Sequence, residues 1–273
     1  MKKKRKSGYL LLLFLIVLGI FLLLVPYLMP NDPNATDLSK ALQPPDGMYP
    51  LGTDALGRCM LSRILYGAKV SIGSSLIIIA VVFTMGTAIG VIAGYMGGMV
   101  DQILDKCITV MQAFPKFILA IAITGILGIG IKNAMIALCV VEWTSYARMA
   151  RSLTKGIKKK QYIQAAKICG EGDVSIMCHH ILPNLLPVLV VNASLGISSM
   201  IMEVAALSYL GMGVESPMAE WGAMMNAGKD YMQTNAALVL IPGIAIFVTA
   251  FVFNLIGENM RDQMNGGKNE KIL

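Results

Sequence analysis

The side chains here with the chemistry to ligate or catalyse are few: His179 and His180, five cysteines, twenty methionines and Glu203 inside an apolar stretch. Adjacent histidines on a helix point about 100° apart, poor geometry for one metal ion, so a structural role is the stronger reading for the pair. Cys59, Cys107, Cys139, Cys169 and Cys178 form no C-x-x-C pair and are odd in number, which argues against a disulfide framework. Methionine sulfur can ligate soft metals, but Met also fills helix contacts, and filling is favoured here. No G-x-x-x-x-G-K-[ST], H-E-x-x-H or G-x-S-x-G occurs, and no Ser/His/Asp constellation is visible. The sequence offers no catalytic residues and no metal ligands, and without a phosphate-binding loop it cannot use ATP in that way.

What would position any site is a membrane bundle. Of 273 residues, 56% are hydrophobic and 14% charged, with a mean hydropathy of +0.66, a composition that a water-soluble domain of this size would not tolerate. The net charge of +7 lies mostly in short flanks of apolar runs, where it sets topology, and no basic patch interleaved with aromatics points to nucleic acid. After MKKKRK the chain is apolar from Tyr9 to Val25, and the adjoining PYLMPNDPNATD lacks an A-x-A cleavage pattern, so a retained first span with a cytoplasmic N-terminus is expected. Residues 1–30 are then the N-terminus and first transmembrane helix, 31–69 an external segment rich in proline, 70–265 a five-helix core, and 266–273 a cytoplasmic tail.

Within that core, spans are expected over Ser71–Met96, through AFPKFILAIAITGILGIG with a bend at Pro115, up to VEWTSYARMARSL, over about Leu185–Gly213, and over about Ala237–Ile256. Gly86, Gly90, Gly94 and Gly98 recur every fourth residue and leave a groove of bare backbone for close helix packing. Asp101, Asp105 and Lys106 mark a cytoplasmic turn. Trp143 and Tyr146 suit a membrane interface, and Arg148, Arg151, Lys155 and Lys158 to Lys160 place the next segment in the cytoplasm. In the fifth span Asn192, Gly196, Ser199 and Glu203 share one helix face. A carboxylate at membrane depth must be paired or wet, so this face lines either a pathway or a packed helix interface, and the sequence favours neither. Glu215–Thr234 reads as a polar external loop.

The stretch 155–183 is a polar interruption with helical periodicity. Gln161, Gln164, Lys167 and Glu171 make one face and Tyr162, Ala165, Ala166 and Cys169 the other. Gly170 and Gly172 should end this helix, Asp173 should cap a second short turn, and Pro183 should stop it. The product is an elbow between two spans whose small residues let a partner's backbone approach.

Ala165, Ala166, Gly170, His180, Leu182 and Pro183 together resemble the coupling loop of ATP-binding-cassette importer permeases, in the form seen in the peptide/nickel family. Four further stretches are similar to signatures of that family: LGTDALGRCMLSR, EVAALSYLGMG, AEWGAM and FNLIGENMRD. Two positions depart from it, Gln164 where the family has Glu and Cys59 where it has Asp. The resemblance implies an all-α membrane fold of six transmembrane helices, a type I importer permease with a cytoplasmic coupling helix. It implies coupling to an ATPase through Gln164, Ala165, Ala166, Gly170, Asp173, His180 and Pro183. It also implies a homologous second permease chain, two ATPase subunits that use the ATP, an extracellular substrate-binding protein, and residence in the cell membrane among lipid. The cargo is expected to be nickel or a nickel chelate, with dipeptides or oligopeptides as the alternative. An ion-coupled secondary transporter is the rival of another class, but it should show two related halves, and no such repeat is present.

Overall fold

The computed structural model describes residues 16–20 and 22–269. The basic start MKKKRK, the first half of the first apolar run and Lys271 lie outside the described residues. The helices of the described part are α1 (Ile16–Leu28), α4 (Lys116–Leu127), α7 (Asp173–Tyr209), α2 (Met60–Met96), α3 (Gly98–Gln112), α5 (Ile131–Lys158), α6 (Gln161–Ile168), α8 (Trp221–Gly228) and α9 (Ala237–Asn269). Among the described residues there is no strand, only one isolated bridge between Thr53 and Cys59.

Three of these helices, α2, α7 and α9, are long and apolar enough to cross a membrane, and α3 with α4 forms a fourth, bent by 87°. The break falls at Pro115, as the sequence suggests, since proline excludes the helical conformation for the residue before it. The expected six spans are reached only if the short α1 and the more polar α5 are counted. Helix α2 also begins earlier than expected, so the last part of the 31–69 segment, from Met60, is helical.

Contacts divide the chain into two compact units, and α2, α4, α5 and α7 each pass from one to the other. The first comprises the residues up to Leu76, Thr124–Met135 and everything from Ser194. Its organiser is α8, inside the stretch expected to be a polar external loop. Glu220, fully buried, caps α8 by accepting from Ala223 N at 3.0 Å, and the Ser71 hydroxyl donates to its other oxygen at 2.8 Å. Trp221 N donates to Ser71 Oγ at 3.2 Å, and Trp221 Nε1 donates to Ile64 O at 3.0 Å. Gly67 and Gly222 make room: a Cβ on Gly67 would sit 2.9 Å from the Trp221 ring, and one on Gly222 would sit 2.7 Å from the Ala205 carbonyl carbon. Sequence polarity did not flag this buried turn, because Glu220 is matched by Ser71 of α2 and by Ala223 N of its own helix rather than by water, while Glu215, Lys229, Asp230 and Gln233 around it stay exposed.

The second unit comprises Ile77–Ile123 and Ile136–Ala193. Here the glycine groove is filled by α5. A Cβ added at Gly86 would fall 2.6 Å from Trp143 O, and one at Gly94 would fall 2.8 Å from Arg151 O; Gly90 sits against Ala147 and Ala150. Gly98 is not part of the groove: it has open space around it and, with Gly97, takes positive φ where α2 turns into α3. Tyr146 is buried in this contact, edge-on to Phe83 at 6.0 Å, and Trp143 is half-buried, so these aromatics pack helices together.

Asp101, Asp105 and Lys106 lie on α3, not in a turn. Arg151 of α5 grips Asp101 at 2.5 and 3.0 Å and Asp105 at 2.6 Å, while Lys155 reaches Asp101 at 2.6 Å. Part of the basic flank is therefore spent on pairing α5 with α3. Elsewhere in this unit, Lys116 Nζ at the start of α4 donates to Glu142 and to Ser145 Oγ of α5, both at 2.8 Å.

Candidate functional site

The elbow lies wholly in the second unit and is built on a small apolar base. Ile163 of α6 is buried with Ile176, Ile181, Leu185 and Leu189 of α7, Val91 and Tyr95 of α2, and Ala150 of α5. Ala166 packs against the same cluster. The inward face is thus Ile163 with Ala166. Tyr162, Ala165 and Cys169, expected to form one apolar face with Ala166, are exposed, and Ile168 is 86% and Val174 70% exposed.

The end of α6 is set by Gly170. Its φ of +83° is a conformation that L side chains adopt at a cost of about 1–2 kcal/mol and glycine adopts freely. Gly170 N then donates to Lys167 O at 3.1 Å and Glu171 N to Ala166 O at 3.1 Å, the paired bonds of a Schellman ending.

Two expectations about the second turn are corrected. Asp173 is not a cap: Gly172 holds that position without a side-chain bond, and Asp173 is the first helical residue. Its carboxylate instead accepts from the Tyr95 hydroxyl at 2.6 Å, which ties the start of α7 to α2. Pro183 does not stop the helix. The preceding turn, Ile176–Ile181, is π-helical, and Leu182 N bonds back to Met177 O. The wider turn relieves the clash between a proline ring and the helix before it, and the Asn184 side chain donates to His180 O at 2.6 Å.

His180 is placed where a structural role predicts. Its Nε2 lies 2.9 Å from Glu171 Oε2, and the Ser175 hydroxyl donates to Glu171 Oε1 at 2.7 Å. These contacts, the Ser175 hydroxyl first and His180 second, hold the Glu171 carboxyl below its ordinary range. His179 projects elsewhere, toward Ser175 at 3.3 Å. Gln164 donates through Nε2 to Lys158 O at 3.0 Å. A carboxylate cannot donate to a carbonyl, so this bond accounts physically for an amide at that position. Lys158 in turn donates to Tyr95 O. Sequence reading missed Glu171 and Tyr95 as holders of the elbow. Glu171 and Ser175 stand at helical spacing, which could have flagged one contact, but nothing local pairs Tyr95 with Asp173.

The fifth-span residues are placed less decisively. Asn192 is half-buried and donates to Val188 O at 2.9 Å, Ser199 is exposed, and Glu203 is half-buried and engaged with a partner. Among the described residues, no cluster of three or more His, Cys, Asp or Glu could hold a metal ion. What the site can do is mechanical: it presents an exposed, small-residue helix that is pinned to two long helices.

Comparison with known proteins agrees with this architecture. Residues 86–265 match the family described as "Binding-protein-dependent transport system inner membrane component". The nickel transport system permease protein NikC of Escherichia coli (strain K12) is 37% identical over 96% of this chain and 94% of its own. The dipeptide transport system permease protein DppC of Haemophilus influenzae is 36% identical over 96% and 91%. The probable D,D-dipeptide transport system permease protein DdpC of Escherichia coli (strain K12) is 37% identical over 93% and 86%. In fold, the chain is similar to an inward-facing structure of the MetNI methionine ABC transporter, with a TM-score of 0.61 at 19% identity over 75% of this chain and 97% of that one. The chain therefore belongs to the family of binding-protein-dependent transport system inner membrane components, as a multi-pass membrane permease subunit of an ABC importer whose ATP is hydrolysed by a separate subunit.

Proposed function

We propose that this chain forms half of the translocation pathway of an importer for nickel or a nickel chelate, and that the elbow 161–183 is where ATP-driven motion enters it. The observation that carries the coupling role is that α6 turns Ile163 inward and leaves Ala165, Ile168 and Cys169 exposed beside Gly170, over a base shared with α2, α5 and α7. Ala165 and Gly170 touch the ATPase directly, with Ala166 and Gln164 setting the orientation of α6. Asp173, His180 and Pro183 fix the elbow to the start of α7. ATP acts only if the ATPase pair grips the elbow differently in its two states, since a ligand shifts an equilibrium by its differential affinity alone. This chain binds no cofactor. The assembly comprises a second homologous permease, two ATPase subunits and an external binding protein, with both termini of this chain cytoplasmic. Asn192, Ser199 and Glu203 line the pathway or the helix contact beside it.

A second cargo, di- or oligopeptides, is favoured by one observation: dipeptide permeases match at 36–37% over nearly the same length as the nickel permease. Uptake of radio-nickel and of labelled dipeptide, in a strain with and without this chain, decides between them. Nickel uptake that depends on the chain supports the first reading. Dipeptide uptake alone replaces it, and dependence of neither removes both.

A further inference from the structure

Lys116 and Glu142 form a charged pair of the second unit that the elbow and its base do not use. Lys116 opens α4 beyond the 87° bend at Pro115, ahead of the apolar run FILAIAITGIL. Its ammonium stands 2.8 Å from each Glu142 oxygen and 2.8 Å from Ser145 Oγ, both residues of α5. The nearest charges to Glu142 along α5 are Lys132 and Arg148, about 15 Å and about 9 Å away along the axis. Glu142 is therefore inside the apolar layer of roughly 30 Å rather than at its edge. Stability does not explain a pair at that depth, because well-packed apolar residues of similar volume would be as stable or more so. Charge kept there marks a functional, wet position.

Glu142 also stands where one face of α5 changes character. Ala134, Leu138 and Val141 are buried at 1–2% exposure, while Ser145 is half-buried and Arg148, Ser152 and Gly156 are exposed. At the α-helical repeat all of them fall within about 80° of the helix circumference. The face is apolar and covered before Glu142, polar and open after it, and the open half leads toward the elbow. Lys116, its side chain 40% exposed, sits at the join. Near the bend Gln112 Nε2 also donates to Thr144 Oγ1, at 3.3 Å, but a long bond between neutral groups is the weaker tie. Glu142 Oε1 is buried and makes no hydrogen bond among the described residues, so the ammonium beside it is what balances its charge. If α4 moves away, water must take the place of that ammonium.

We propose that Lys116 and Glu142 are gating residues of the translocation pathway, a role that rests on the transport reading. Water entering from the elbow end follows the face of Ser145, Arg148 and Ser152 as far as the pair. There the ionic contact between the bend and α5 shuts it off from the covered face of Leu138 and Val141. Opening this contact and wetting Glu142 are one event, because the carboxylate cannot stay dry without its partner. The pair is a positioning element: it acts by holding the bend to α5 and needs no contact with cargo.

The test uses the complex assembled from full-length chains in lipid nanodiscs and a charged, water-soluble methanethiosulfonate, with labelling read site by site from peptide masses. Two reporters are placed in a Cys139→Ala chain: Arg148→Cys on the open side of the pair and Leu138→Cys on the covered side. Arg148→Cys should react readily and Leu138→Cys about ten-fold more slowly or less. Lys116→Met should speed labelling of Leu138→Cys by about ten-fold, the loss of one charge-assisted contact, and leave Arg148→Cys as it was. Exchanging the charges, Lys116→Glu with Glu142→Lys, should restore protection, which a merely packing role would not do. Should Lys116→Met fail to assemble, Ser145→Ala, which keeps both charges, should speed Leu138→Cys by about three-fold. Labelling of Leu138→Cys that is fast from the start, or is unmoved by these substitutions, or is not slowed again by the charge exchange, overturns the proposal. So does an unreactive Arg148→Cys, which would mean that another subunit covers the open face. ATP-driven uptake by the unsubstituted complex, measured alongside, separates failure of the gate from failure of the transport reading.

Discussion

Gly86→Ala probes the contact on which the second unit rests. The added methyl would lie 2.6 Å from Trp143 O and 2.7 Å from Tyr146 Cβ, where ordinary van der Waals contact begins at 3.4 Å. Both neighbours belong to one rigid helix, so α2 and α5 must separate by most of an ångström along their shared groove. Overpacking of this kind costs about 1–3 kcal/mol, and a clash with backbone belongs at the upper end. Alanine is the better helix former by about 1 kcal/mol, which leaves a net loss of about 2 kcal/mol. Gly73→Ala, on the same helix but with nothing within 4 Å of the new methyl, keeps only the propensity gain of about 1 kcal/mol. The two variants should therefore differ by about 3 kcal/mol. At about 2–4 °C per kcal/mol for a chain of this size, that is roughly 6–12 °C in apparent melting temperature. Thermal unfolding in mild detergent, tracked by size-exclusion recovery, reads this directly. If Gly86→Ala melts with or above the unsubstituted chain, or if Gly73→Ala falls as far, the groove is not held closed by α5 and the packing argument is wrong.

The buried polar contacts and ion pairs make further variants informative. Trp221→Phe removes the bond to Ile64 O and should cost about 1 kcal/mol in unfolding free energy, whereas Glu220→Ala also removes a helix cap and strands Ser71, and should cost about 2–3 kcal/mol. Glu171 has a carboxyl held below its ordinary 4.5, so the bond it accepts from Ser175 contributes in full above that value and is lost as pH falls through the lowered one. Hydrogen exchange at residues 169–176, corrected for intrinsic rate, should be faster well below 4.5 than just above it, and Glu171→Gln should remove this rise. Replacing Arg151 by Met should loosen α3, seen as faster exchange at residues 99–108, because Asp101 and Asp105 lose their shared partner.

Much of the elbow was legible because its cues are local. Gly170 ends α6 as a glycine in the left-handed region must, whereas Ala166, expected on one face with Tyr162, Ala165 and Cys169, turns inward beside Ile163. The misreadings at Asp173 and Pro183 have one cause: each residue obeys a rule for isolated turns that its surroundings override. Tyr95, seventy-eight positions upstream, takes the Asp173 carboxylate, and the π-helical turn before Pro183 lets the helix continue. The glycine spacing on α2 announced a close approach but not its partner, since α5 carries no mark of its own. Polarity alone missed the buried turn inside 215–234: Glu220 is among the most polar residues of that stretch and is fully buried, because its acceptors are matched by Ser71 and by the first turn of α8. The acids on α3 were read as a turn for the same reason, their basic partners lying on α5.

The role of the elbow is tested most directly by Ile168→Arg. This side chain is 86% exposed and touches none of the buried base, so the substitution leaves the fold intact while placing a long cation on the surface proposed to meet the ATPase. The tagged chain, purified in mild detergent with its co-expressed ATPase, should lose the ATPase on substitution while its own yield in the membrane is unchanged. Full retention of the ATPase by the Ile168→Arg chain would contradict the account.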